Sequence, residues 1–226
     1  MNIVLNGVSS DSVSGLMIQR LPNVKKPLIR HKLEEIDGVN GDTVIKLGYS
    51  AYDREVLIGL RRSFNEDDVI KFFNTSGKAV FSNEPDKIYD YDILNEFELE
   101  KLMRFRQAIV TFHVQPFKHK LNETLITGSN SVTVNNSGNI FSKPKVKITG
   151  SGNLSLYIDS TQIFQIALGT EGNITLDGEK MEAYKGTTLK NRLVTGDYDN
   201  FSLPVGESTI SVSGATLEVS NYIRWV

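Results

Sequence analysis

The chain closes on Gly206-Glu-Ser-Thr-Ile-Ser-Val-Ser-Gly-Ala-Thr-Leu-Glu-Val-Ser-Asn-Tyr-Ile-Arg-Trp-Val226, and the reading of this stretch decides the fold class. Ile210 and Val212 alternate with Thr209, Ser211 and Ser213, and Leu217, Val219, Ile223 and Trp225 then share one parity. A strand shows successive side chains to opposite faces, so a period of two marks a sheet with one buried face and one wet face. The pattern recurs upstream. Leu154, Leu156 and Ile158 alternate with Ser155, Tyr157 and Asp159; Val146 with Ile148 and Ile174 with Leu176 repeat it. Between these runs lie Gly150-Ser-Gly-Asn153, Glu171-Gly-Asn173, Asp177-Gly178 and Ser213-Gly214. Gly, Asn and Asp tolerate positive φ, so these signals suit tight hairpin turns. Many short strands separated by such turns predict a β-sandwich over residues 127–226.

The first half, residues 1–126, is patterned differently. Asn65 can cap a helix whose first turn holds Glu66, Asp67 and Asp68, where the helix dipole favours negative charge. Val69, Ile70, Phe72 and Phe73 supply its apolar face, and Gly77 can end it. Arg54–Leu60 before it, Lys78–Ser82 after it and Ala108–Val114 further on read as strands. Residues 95–107 favour helix by propensity. A run rich in Asn, Ser and Gly, Thr127–Asn139, separates the halves, with a candidate strand at Val132-Thr-Val134. Pro22–Gly59 is polar and thinly apolar, with Pro22, Pro27, Gly38, Gly41 and Gly48. Two readings fit it: a long hairpin whose packing surface lies on a neighbouring subunit, or a solvated pair of loops.

Composition narrows the function. The 226 residues are 39% hydrophobic and 23% charged, enough for one large or two small domains. The formal net charge is −2, without the basic surplus that phosphate neutralisation demands, so specific nucleic-acid binding is not expected. With no cysteine, disulfides, thiolate nucleophiles and Cys-ligated zinc are excluded. Met1–Ser12 lacks a basic, then apolar, leader, and no run of about 18 apolar residues occurs, so neither secretion nor membrane insertion is expected. The Asn-x-Ser/Thr triplets at Asn122, Asn153 and Asn173 then read as chance.

A search for chemistry returns little. His31, His113 and His119 have no helical i, i+4 spacing, so no metal or catalytic role is assigned. Asp86-Lys-Ile-Tyr-Asp-Tyr-Asp92 alternates acids, yet lacks the glycine and closing glutamate of a calcium loop. It reads as an exposed strand face with Tyr89 and Tyr91 on the other side. Gly150-Ser-Gly152 joins two strands and lacks the remaining glycine of a dinucleotide loop, so it reads as a hairpin turn. No GxSxG, Walker A or HExxH motif occurs. No catalytic, cofactor or metal residue is therefore named, and no cofactor and no enzymatic activity are expected. Trp225 with Tyr222 could form a sugar-stacking platform, which gives an alternative function: a carbohydrate-binding adhesin recognising host cell-wall glycans.

Several segments resemble the distal tail (Dit) family of siphophages and prophages. Ser82-Asn-Glu-Pro-Asp-Lys-Ile-Tyr-Asp90 is similar to that family's "s-x-x-P-D-k-x-Y" element. Leu102–Lys118 follows at the expected distance and resembles its strand ending in "F-x-x-x-P". Phe141–Gly152, Ile174–Asp177, Leu203–Gly206 and the segment from Ile210 onward are similar to its C-terminal strands. The resemblance implies a mainly β chain with one clear helix. Residues 1–126 would be a tail-tube-like ring-forming β domain with a belt hairpin at about 22–59, and residues 127–226 a galectin-like β-sandwich. In that reading residues 95–107 become strand and turn. It further implies a homo-hexamer, with stacked rings compatible, in the virion at the tail tip, synthesised in the bacterial host cytoplasm. Its partners would be the tail-tube protein, the tail-associated protein and receptor-binding or baseplate proteins, with a lumen left for the tape measure and DNA.

Overall fold

The computed structural model describes residues 1–38, 40–61, 63–96 and 106–226, which divide into two compact units, Met1–Leu121 and Asn122–Trp225. The first unit begins with β1 (Ile3–Leu5), β2 (Val8–Ser9) and β3 (Leu16–Arg20). It continues through β4 (Ile29–Glu35), β5 (Asp42–Tyr49) and β6 (Tyr52–Leu60) to helix α1 (Glu66–Phe73). Strands β7 (Ser76–Phe81), β8 (Lys87–Ile93) and β9 (Gln107–Lys120) complete it. The main sheet is antiparallel in the order β2-β1-β7-β8-β9-β6-β3.

Its core follows the period of two. Val110, Phe112 and Val114 of β9 are buried, as are Val56, Ile58 and Leu60 of β6. The Phe112 ring meets Phe73, Phe81 and Tyr91 at centroid distances of 6.4, 5.5 and 5.4 Å, tilted or edge-on, the arrangements aromatic quadrupoles favour. Helix α1 starts where its cap directs it, with Asn65 Oδ1 accepting the Asp67 N–H at 3.0 Å. Its C-cap is Asn74, so Gly77 does not end the helix. Gly77 lies in β7 at φ +134°, and a side chain there would meet Asn6 Oδ1 at 2.3 Å.

The expected extent of the arm also changes in this unit. The segment at 22–59 is not one hairpin. The hairpin is β4–β5, a separate two-stranded sheet, while Tyr52–Leu60 pairs along its length with β9 inside the core. The alternation of Val56, Ile58 and Leu60 carries that difference. Of the ambiguous segment at 95–107, residues 97–105 lie outside the described residues.

The second unit is one sheet folded over on itself. It comprises β10 (Ile126–Asn136), β11 (Lys145–Thr149), β12 (Gly152–Ile158) and β13 (Thr161–Gly169). Then come β14 (Asn173–Asp177), β15 (Glu182–Lys185), β16 (Thr188–Leu189), β17 (Val194–Gly196) and the long β18 (Gly206–Ser220). The order is β16-β15-β14-β11-β18-β12-β13-β17, with β10 also on β18. Strands β11 and β12 lie end to end along one side of β18, opposite Thr216–Ser220 and Ile210–Val212. The sheet bends between these stretches, bringing Val146, Ile148, Ile174 and Leu176 into one core with Leu154, Leu156, Phe164 and Ile166.

Three expected hairpin turns are corrected. Glu171-Gly-Asn173 links β13 to β14, which do not pair, and Gly150-Ser-Gly152 and Ser213-Gly214 are corners within the sheet. Gly214 sits inside β18 at φ +76°, and its N–H donates to Asn130 Oδ1 at 2.8 Å. A side chain at Gly150 would press on Ala215 Cβ at 3.1 Å. Glycine is required where two layers of one sheet approach at a fold. Asp177-Gly178 does open a hairpin, since β14 and β15 pair. Thr127–Asn139 is no linker, because most of it is strand β10.

Candidate interaction surface

The hairpin β4–β5 is the feature of the first unit that its own core does not explain. Its strands pair from Ile29↔Tyr49 to Glu35↔Asp42, with a bulge at Arg30/His31. Among the described residues, no hydrogen bond or ion pair joins Arg30–Gly48 to any other part of the chain. Leu33, Ile36, Val44 and Leu47 stand 52–57% exposed along it. An isolated two-stranded ribbon is marginal in water, and exposed apolar residues gathered on one arm mark a contact surface.

The root of the arm is held firmly. Arg54 of β6 is fully buried between the rings of Phe81 and Tyr89, with its guanidinium carbon 4.7 and 4.4 Å from their centroids. Its Nη2 donates to Glu84 Oε2 at 3.2 Å and to the Pro22 carbonyl at 3.4 Å. Asn83 Nδ2 donates to the same carbonyl at 3.0 Å, so the chain is clamped where it leaves the sheet for the arm. Glu84 also accepts from Tyr89 Oη and Lys118 Nζ, both at 2.5 Å. Among the described residues, Nε and Nη1 of Arg54 find no hydrogen-bond partner, and the guanidinium lies against the aromatic rings.

Burial pushes the Glu84 carboxyl up, but hydrogen bonds from Lys118 and Tyr89 and the charges of Lys118 and Arg54 outweigh it, leaving its pKa lowered. Burial, followed by the bond to Glu84, raises the Tyr89 phenol. On the return side of the arm, Ser50 N–H donates to the Leu28 carbonyl at 2.9 Å, and the Tyr49 ring meets Phe117 edge-on at 5.4 Å.

Pro116 explains how β9 reaches both anchors. Tyr91 faces Val114 while Tyr89 faces Lys118, so Gln115, Pro116 and Phe117 form a bulge against Asp90. Proline has no ladder N–H to offer and is tolerated at such a break. The bulge presents Phe117 to Tyr49 and Lys118 to Glu84.

The other singled-out residues are placed as follows. His113 Nδ1 lies 2.8 Å from Asp53 Oδ1 at the surface, His31 is exposed on β4, and His119 sits in β9 opposite Ile88. No group of three His, Asp or Glu that could hold a metal ion occurs among the described residues. Tyr89 and Tyr91 are buried, with Asp90 and Asp92 on the opposite face. Lys145 Nζ stands 5.3 Å over the Tyr222 ring, so that face is already taken by a cation, and Trp225 is half-buried in a two-residue strand.

Sequence reading missed Arg54, and the signal was there. Arg54 shares parity with Val56, Ile58 and Leu60, and a cation on the apolar parity of a strand calls for a buried anion.

Comparison with known proteins gives the fold a relative. The crystal structure of the SPP1 Dit (gp 19.1) protein, a hub of the adsorption apparatus in phages infecting Gram-positive bacteria, superposes with a TM-score of 0.67. The match covers 96% of both chains at 16% identity. The fold is that of a Dit hub protein. Two structures of the phage P2 baseplate in its activated conformation, with Ca and with Sr, also match, with TM-scores of 0.45 and 0.43 at 11% identity. They cover 97% and 96% of this chain and the same shares of theirs. No family model and no curated protein sequence matches. At 16% identity the likeness to the SPP1 Dit protein is one of fold.

Proposed function

We propose that the chain is a structural subunit of a phage tail tip, a Dit-type hub without enzymatic activity. Six copies close into a ring around the tail axis, and the β4–β5 arm of each lies on a neighbouring copy. The ring joins the tail tube to the tail-associated protein, carries receptor-binding or baseplate proteins on its outside and leaves a channel for DNA. It functions in the virion, after synthesis in the host cytoplasm.

One observation carries this reading: on a Dit fold, an apolar arm stands clear of its own core while its root is locked by the buried Arg54–Glu84 pair. A firmly rooted arm with an unsatisfied surface is suited to contact between subunits. Closed symmetry then repeats one such contact around the ring. A net charge of −2 is consistent with a wall that does not retain DNA during ejection.

The test is excision of the arm. Replacing Ile29–Tyr49 with a short Gly-Ser link should leave both units folded, by circular dichroism and calorimetry, and should abolish the oligomer. A ring that persists without the arm would overturn the reading.

A further inference from the structure

One face of the arm is written in three bands. Residues paired across the strands point to the same side, so His31 and Lys46, Leu33 and Val44, and Glu35 and Asp42 share a face. From root to tip it reads basic, apolar, acidic, with successive bands about 7 Å apart. The opposite face carries Lys32, Ile45, Glu34 and Thr43, and there the charges are closed internally: Lys32 Nζ meets Glu34 Oε1 at 2.5 Å. The banded face has no such closure. Glu35 stands directly across from Asp42, and like charges placed opposite each other destabilise a ribbon, while Lys46 faces His31 and no carboxylate. No ion pair to Glu35, Asp42 or Lys46 occurs among the described residues.

A basic–apolar–acidic face is complementary to its own reverse. We infer that the arms of two copies pack face to face and antiparallel through these bands, about a two-fold axis at the Leu33/Val44 pair. That axis sets Leu33 against Leu33 of the second copy and Val44 against Val44. It brings each Asp42 to the other copy's Lys46 and each Glu35 to the other copy's His31. The contact relieves the Glu35/Asp42 repulsion by giving Asp42 the counter-charge of Lys46, and it covers the apolar band in the same step. An isologous contact cannot be the head-to-tail contact that closes a ring, so this is a second contact between copies. It does not depend on the tail-tip reading: ring mass and arm pairing are measured separately, and either can fail alone.

The chain has no cysteine, so an introduced one reports without background. With Leu33→Cys in the full chain, mild oxidation should give a disulfide-linked dimer at twice the 25.2 kDa subunit mass on a non-reducing gel. Thr43→Cys, on the opposite face, should stay largely monomeric. In the Leu33→Cys background, Lys46→Asp alone or Asp42→Lys alone should slow cross-linking at least tenfold. Mixing those two variants should restore the parental rate as a heterodimer, resolved by a longer tag on one chain. The charge swap Asp42→Lys/Lys46→Asp on a single chain should restore it as a homodimer. A Leu33→Cys protein that stays reduced, equal cross-linking through Thr43→Cys, or a mixture no faster than its separate components would each overturn the inference.

Discussion

Replacing Glu84 with Gln tests the physical core of the account. Gln keeps the shape of the side chain and one acceptor oxygen but removes the charge that Arg54, Lys118 and Tyr89 converge on. Arg54 is fully buried and Glu84 is 13% exposed, so the guanidinium would be left in an apolar site without its counter-charge. Removing one partner of a buried ion pair costs about 3–5 kcal/mol. For a unit of this size that lowers its melting temperature by roughly 10–20 °C. Calorimetry should show the first unit melting earlier while the second holds its transition. Hydrogen exchange should rise at residues 22–28 and 50–54, where the clamp holds the arm's root. Adding Arg54→Met removes the orphaned cation, so the double variant should recover about 1 kcal/mol or more, the size of coupling seen between contacting residues. A Glu84→Gln protein that melts with the parent, or single effects that simply add, would refute the assignment of the clamp.

The same carboxylate sets a pH dependence. Its pKa is lowered in the folded state, so its stabilisation is fully present above the unfolded value of about 4.3 and is lost as pH falls through the folded value. Acid denaturation of the first unit should therefore steepen below about pH 4.3, and Glu84→Gln should flatten that limb of the curve. Asn65→Ala removes the cap of α1 and should cost about 1 kcal/mol by urea denaturation, with the fold intact. Phe112→Ala empties the meeting point of Phe73, Phe81 and Tyr91 and should cost about 3–5 kcal/mol by the same assay. Gly214→Val forces a branched side chain to φ +76° at the sheet corner; about 1–2 kcal/mol of backbone strain should appear as a lower melting temperature of the second unit alone.

Much of the fold was legible because burial imposes a period. The alternation of Ile210 and Val212, of Leu154, Leu156 and Ile158, and the Asn65 cap with its acidic first turn each determine a local structure that the tertiary fold keeps. What was not legible depends on partners distant in sequence. Gly150 and Ser213-Gly214 carry turn residues, yet they lie opposite each other at a fold of one sheet, and no local pattern distinguishes a corner from a hairpin. Thr127–Asn139 reads as a linker because strand β10 pairs with β18 on a face rich in Asn and Ser. The arm was visible as a polar stretch, but its end was not, since Tyr52–Leu60 belongs to the core by parity and to the arm only by proximity. The clamp joins Pro22, Arg54, Glu84 and Lys118 across two strands, a loop and a turn, and only the misplaced parity of Arg54 announced it.

The central claim is that this chain closes into a ring. Native mass spectrometry of the intact protein at tens of micromolar should give a species of six times the 25.2 kDa subunit, or two such rings together. A protein that remains strictly monomeric at that concentration would contradict the account.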